Sequence, residues 1–323
     1  MKKIYLLLSV FVVIFTSCET DFDVNANWEE VTVVYGLLDS GTGQETQQIK
    51  ISKAFLGKMD AMQMAQYADS INFDEGELSV KVIRLKNNGI SDTIALDEVP
   101  TLRDQGVFND SIMIYTFINN NFLISNSEYE LLIKNNITGN QVSSRTNLVS
   151  NFDFDNVFRN TKAFQFGFYN NGDYSISTIT WDDSNDNGEI YQLDLVINYI
   201  ENSEPKELVF SQDLIDDKET KISIEGERFF NFLRQEIEKD NSKERYFIGI
   251  DLVMTVASDE LDTYIKVNKP ITGIVQERPE FTNIDNGIGL FSSRYTKIRY
   301  GFPLTSSSID FLKSTDGLDR NFK

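Results

Sequence analysis

Residues 190–200 read Ile190-Tyr191-Gln192-Leu193-Asp194-Leu195-Val196-Ile197-Asn198-Tyr199-Ile200, and this stretch decides the fold class. Tyr191, Leu193, Leu195, Ile197 and Tyr199 recur at every second position. That period belongs to a strand with one buried face, because successive side chains of a strand point to opposite sides. The same alternation predicts strands over 175–181, 206–210 and 246–256 on either side of it, and over 31–38, 47–53, 77–85, 112–117, 129–134 and 141–148 nearer the N-terminus. Asn-Asn-Gly at 87–89 and Asn-Asn-Ile-Thr-Gly at 135–139 supply turn chemistry between runs.

The chain is therefore mainly all-β. Six or seven strands within 28–150 predict a first β-sandwich, immunoglobulin- or transthyretin-like, with Tyr129 after Asn126-Ser127-Glu128 placed like a tyrosine corner. A second, fibronectin type III-like sandwich is predicted over 151–323, where Trp181 ends one strand and the Tyr-x-Leu-x-Leu strand follows a turn. One amphipathic helix is expected near 225–240, with Phe229, Phe230, Leu233 and Ile237 on one stripe. A closing helical turn is expected over 305–313, capped by a serine among 306–308. Residues 56–67 break the pattern with Met59, Met62 and Met64, and read as a short helix or loop whose methionines fill core gaps or serve as an adaptable surface.

The first residues carry a different message. Lys2-Lys3, an apolar run over 4–15 and Thr16-Ser17 lead into Cys18, the only cysteine in the chain. A charged start, a short apolar run and small residues at a cut mark a secretory signal. A run of that length falls short of the roughly 20 residues that a membrane-spanning helix needs. Residues 1–17 are thus expected to be a lipoprotein signal peptide, with covalent lipid on Cys18 and a lipidated acidic linker over 18–27. More than one acyl chain on Cys18 would hold the body stably to an outer membrane. Glu19, Asp21 and Asp23 just after it suggest export to the cell surface.

Composition removes whole classes of chemistry. The chain has no histidine, and with Cys18 lipidated it has no free thiol, which excludes Ser-His-Asp triads, Cys nucleophiles, disulfides and His- or Cys-based metal sites. Thirty basic against fifty acidic residues give a net charge of −20. That field repels phosphate backbones, so no nucleic-acid partner is expected. With 41% apolar residues and five prolines, the chain can fill substantial cores.

The sharpest local motif, Asp183-Ser-Asn185-Asp-Asn187-Gly188, fits the opening of a calcium loop with Asp194 in twelfth place. Strand-like flanks argue against it, since an extended run would carry Asp194 roughly 16 Å away. No metal and no cofactor beyond the lipid are expected, and no catalytic residue stands out among so many acids. Asn283, Asn286, Phe291 and Arg294 form a candidate binding loop around Gly287 and Gly289, where a turn or bulge is expected to bring a final strand to a sheet. Arg294 is expected to pair with a nearby acid.

Several segments together, namely 264–268, 274–279, 282–294, 53–57, 68–71, 129–138 and 145–148, make the chain resemble the DUF4249-type lipoproteins of Bacteroidota, often encoded beside receptors of the TonB-dependent kind. The resemblance implies an accessory role at the outer membrane with such a receptor as partner, and assigns no catalytic residue. The expectation is a lipid-anchored binding or receptor-accessory lipoprotein without catalysis. The alternative is a carboxylate-dependent, glycan-active enzyme at the cell surface. A helical solute-binding lipoprotein is disfavoured by the β pattern.

Overall fold

The computed structural model describes residues 31–41, 43–54, 71–86, 89–102, 111–155, 164–182, 187–215, 219–269 and 280–323. The signal, Cys18, the acidic linker, the methionine-rich stretch, residues 274–279 and the residues Asp183 and Asn185 lie outside them. The fold is mostly β and of sandwich type. Its largest sheet has eight strands, in the order β13 (Glu204–Ser211), β12 (Ile190–Glu201), β15 (Arg245–Ala257), β16 (Gly287–Phe302), β1 (Val31–Asp39), β2 (Thr46–Ala54), β6 (Ser111–Ile118) and β5 (Asp97–Leu102). A second sheet runs β4 (Gly89–Ala95), β3 (Leu78–Lys86), β7 (Glu128–Asn135) and β8 (Gln141–Asn147). Two short pairs complete the strands of the described residues, β9 (Tyr169–Asn170) with β10 (Asp173–Tyr174) and β11 (Ile176–Thr180) with β14 (Lys221–Glu225).

The centre of the large sheet is a parallel pair, β1 with β16, joining strands some 250 residues apart in the sequence. The other pairings in this sheet are antiparallel, several of them hairpins. The β12–β13 hairpin turns on Asn202 and Ser203, both at positive φ, as a tight two-residue hairpin requires. The boundary expected at residue 150 does not divide this sheet, which takes four strands from each side of it. The cores do part near Val149. Val34, Leu38, Ile49 and Tyr115 of the large sheet pack against Val80, Val82, Leu131 and Ile133 of the four-stranded sheet. Leu193, Leu195, Leu252 and Met254 pack against a layer rich in phenylalanine. Ile284 and Phe291 cross over from the C-terminal segment into the N-terminal core.

Tyr129 is fully buried at the start of β7, its hydroxyl donating to the Phe122 carbonyl at 3.0 Å and accepting from the Ile124 amide at 2.7 Å. That is the geometry of a tyrosine corner. The predicted helix is α1 (Gly226–Glu236), which buries Phe229, Phe230 and Leu233. It stops short of residue 240 because Arg320 donates to the carbonyls of Arg234 and Ile237, taking acceptors that further turns would use. Two further helices follow, α2 (Asp259–Asn268) and α3 (Ser306–Lys313). Thr305, not a serine, stands at the N-cap of α3; Ser308 instead accepts from the amides of Phe168 and Tyr169. Among the described residues no helix is long and apolar enough to cross a membrane.

Candidate functional site

The parallel register puts Tyr35 beside Leu290, Leu37 beside Ser292 and Asp39 beside Arg294. These positions face away from both cores, because Val34, Leu38 and Phe291 between them are buried inside. β16 can run so close to β1 because of Gly289, which has φ +118° and where a Cβ would stand 2.0 Å from the Val34 carbonyl oxygen. On the outer face lies α2. Asp259, Glu260 and Asp262 crowd its first turn, where the helix dipole favours negative charge, and Lys266 pairs with Asp262 at 2.8 Å. Glu260 fastens the helix to the sheets, accepting from the hydroxyls of Ser258, Ser292 and Thr146.

The helix sets Tyr264 edge-on to Tyr35, with ring centroids 6.3 Å apart at 77°. Hydrogen bonding with the Tyr264 hydroxyl, and then burial, raise the Tyr35 phenol above its ordinary value. Between these rings and β2 lies a groove of about 540 Å³. Leu37, Leu261 and Leu290 give it apolar walls, while Gln44, Thr46 and Gln48 give it neutral polar ones.

Asp39 is the one carboxylate among the described residues lining the groove, and it is buried. One of its oxygens accepts from the amides of Gly41 at 2.8 Å and Thr296 at 3.2 Å. The other accepts from Arg294 Nε at 2.9 Å and the Thr296 hydroxyl at 2.8 Å. A carboxylate has about four acceptor positions, so Asp39 is fully engaged and acts as a structural anchor. Its partner Arg294 remains 38% exposed.

Of the candidate binding loop, Arg294 alone reaches the groove. Phe291 is wholly buried in the N-terminal core. Asn283 clips β16 by exchanging two hydrogen bonds with the Phe291 backbone, at 2.6 and 2.9 Å. Asn286, at φ 58°, turns the chain into β16 and donates to the Gln141 carbonyl. From the calcium motif, Asn187 donates to the Leu148 carbonyl, and Asp194 sits within β12 accepting from Gln192. Among the described residues no group of three or more acids could hold a metal ion.

Tyr35, Gln48 and Tyr264 were not expected at a site. The signal was present in β1, where Val33, Val34, Tyr35, Leu37 and Leu38 make both faces apolar, the mark of a strand covered on both sides. No family model, curated protein or solved structure matches the chain.

Proposed function

We propose that this chain is a lipid-anchored binding or receptor-accessory lipoprotein of the outer membrane, exposed at the cell surface and without catalysis of its own. The observation that carries the reading is the groove under α2, a concave site of a size suited to a small ligand whose single acid among the described residues is engaged in four structural hydrogen bonds. Hydrolysis of a glycan by paired carboxylates needs two acids free to exchange protons, roughly 5 to 10 Å apart. The address rests on the signal ahead of Cys18. The partner, a receptor barrel of the TonB-dependent kind, rests on the resemblance described above.

Affinity purification from gently solubilised membranes tests it, comparing the parent with Cys18→Ser. Recovery of a receptor barrel with the parent and its loss with the variant is the expected result. Recovery of no outer-membrane partner, together with cleavage of glycans by the purified protein, would overturn the reading.

A further inference from the structure

We propose that the groove binds a carboxylate-bearing sugar, a hexuronic acid unit of an acidic glycan, with Arg294 as the residue that holds the carboxylate. The inference rests on the binding role proposed above and names its ligand class. Arg294 is pinned through Nε alone, by a buried acid at 2.9 Å, and neither Nη has a hydrogen-bond partner among the described residues. A guanidinium fixed on one side and open on the other presents donors in the spacing of a carboxylate.

The surroundings favour a sugar over other anions. Tyr35 is 44% exposed and offers ring surface for apolar C–H groups. The side chains of Thr46, Gln44 and Gln48 have no hydrogen-bond partners among the described residues, and each can both donate and accept, which matches hydroxyl groups. An acidic peptide fits less well. β1 is paired on both sides, with β2 and β16, so its main chain has no free ladder to offer a peptide backbone.

Calorimetric titration of the full-length protein in detergent decides the matter, using short oligomers of galacturonic, glucuronic and mannuronic acid. Their methyl esters and hexaglutamate serve as comparisons. At least one oligouronide is expected to bind, its ester at least about tenfold more weakly, and Arg294→Met is expected to cost a similar factor. Because that variant leaves Asp39 without its ion partner and can fail to fold, Gln48→Ala, at an exposed side chain with no hydrogen-bond partner among the described residues, is measured beside it and is expected to weaken binding with little change in melting temperature. Binding of ester and acid with equal strength, tighter binding of hexaglutamate, or no binding of any oligouronide would each overturn the proposal. None of these results touches recovery of a receptor barrel, so the two readings fail separately.

Discussion

The two halves of the molecule bury their share of one sheet in different ways. In the N-terminal half a regular four-stranded sheet closes the sandwich, and alternating aliphatic side chains meet across it. In the C-terminal half the facing layer is made of two short strand pairs, α1, α3 and non-repetitive chain, and phenylalanines do the filling. Phe168 stacks on Phe229 at 4.2 Å and on Phe166 at 5.3 Å, and Phe210 stacks on Phe232 at 4.8 Å. Sheet against sheet is a repeating problem that valine, leucine and isoleucine solve with period two. An irregular layer leaves gaps of uneven shape, which large flat side chains fill with the most area per residue. The cost of removing one side chain should therefore be more concentrated in the C-terminal half.

Phe229→Ala is expected to have the largest effect. It removes a fully buried ring from the stacked group and should cost about 3–5 kcal/mol, read from urea unfolding. Where the loss spreads is the sharper question. β16 pairs with β15 of one half and β1 of the other, and places Phe291 in the opposite core. Unfolding should thus remain a single transition, with slowly exchanging amides of β3 and β7 losing protection together with those of β12. Separate transitions for the two halves would show that the parallel seam does not couple them.

Tyr129→Phe probes the regular half and should cost less, about 1–3 kcal/mol, because the Ile124 amide loses its acceptor and the Phe122 carbonyl keeps only Arg84 as donor, while the ring packing stays. A cost as large as that of Phe229→Ala would erase the contrast between the halves.

The regular half was also the more legible in sequence. Alternation located β1, β2, β3, β6, β7 and β8 to within a few residues, and Tyr129 announced its corner. The outer-face groove was not legible, since it depends on residues 39 and 294 standing side by side, and a parallel pairing so distant leaves no local signal. Gly287 and Gly289 did mark the place where the strands meet, because only residues without a Cβ tolerate that approach. Phe291 and Asn283 looked like loop residues for the same reason that they are structural: both serve the seam. α2 escaped notice because 259–268 lacks a buried apolar stripe, its one buried side chain being Asp262.

Acid should produce the smallest effect, and it separates the halves again. In the N-terminal half, burial pushes the Glu77 pKa upward, but the Asp74 amide, the Asn135 side chain and Lys53 outweigh it, and the net shift is below the ordinary 4.5. In the C-terminal half, burial likewise opposes Lys297 and Arg299 at Asp153, and the balance again falls below the ordinary value, here 3.8. A carboxylate with a lowered folded pKa binds fewer protons in the folded state than in the unfolded one. Its contribution is complete above the unfolded value and is lost as pH falls through the folded one. Stability arising from these two groups should be flat from neutral pH down to about 5 and decline below it, Glu77 starting nearer 4.5 and Asp153 nearer 3.8. Glu77→Gln should flatten the earlier part of that decline and Asp153→Asn the later part. Urea midpoints across the range measure both, and an unchanged profile in Glu77→Gln would mean that its hydrogen bonds hold the β3 entrance no better than solvent does.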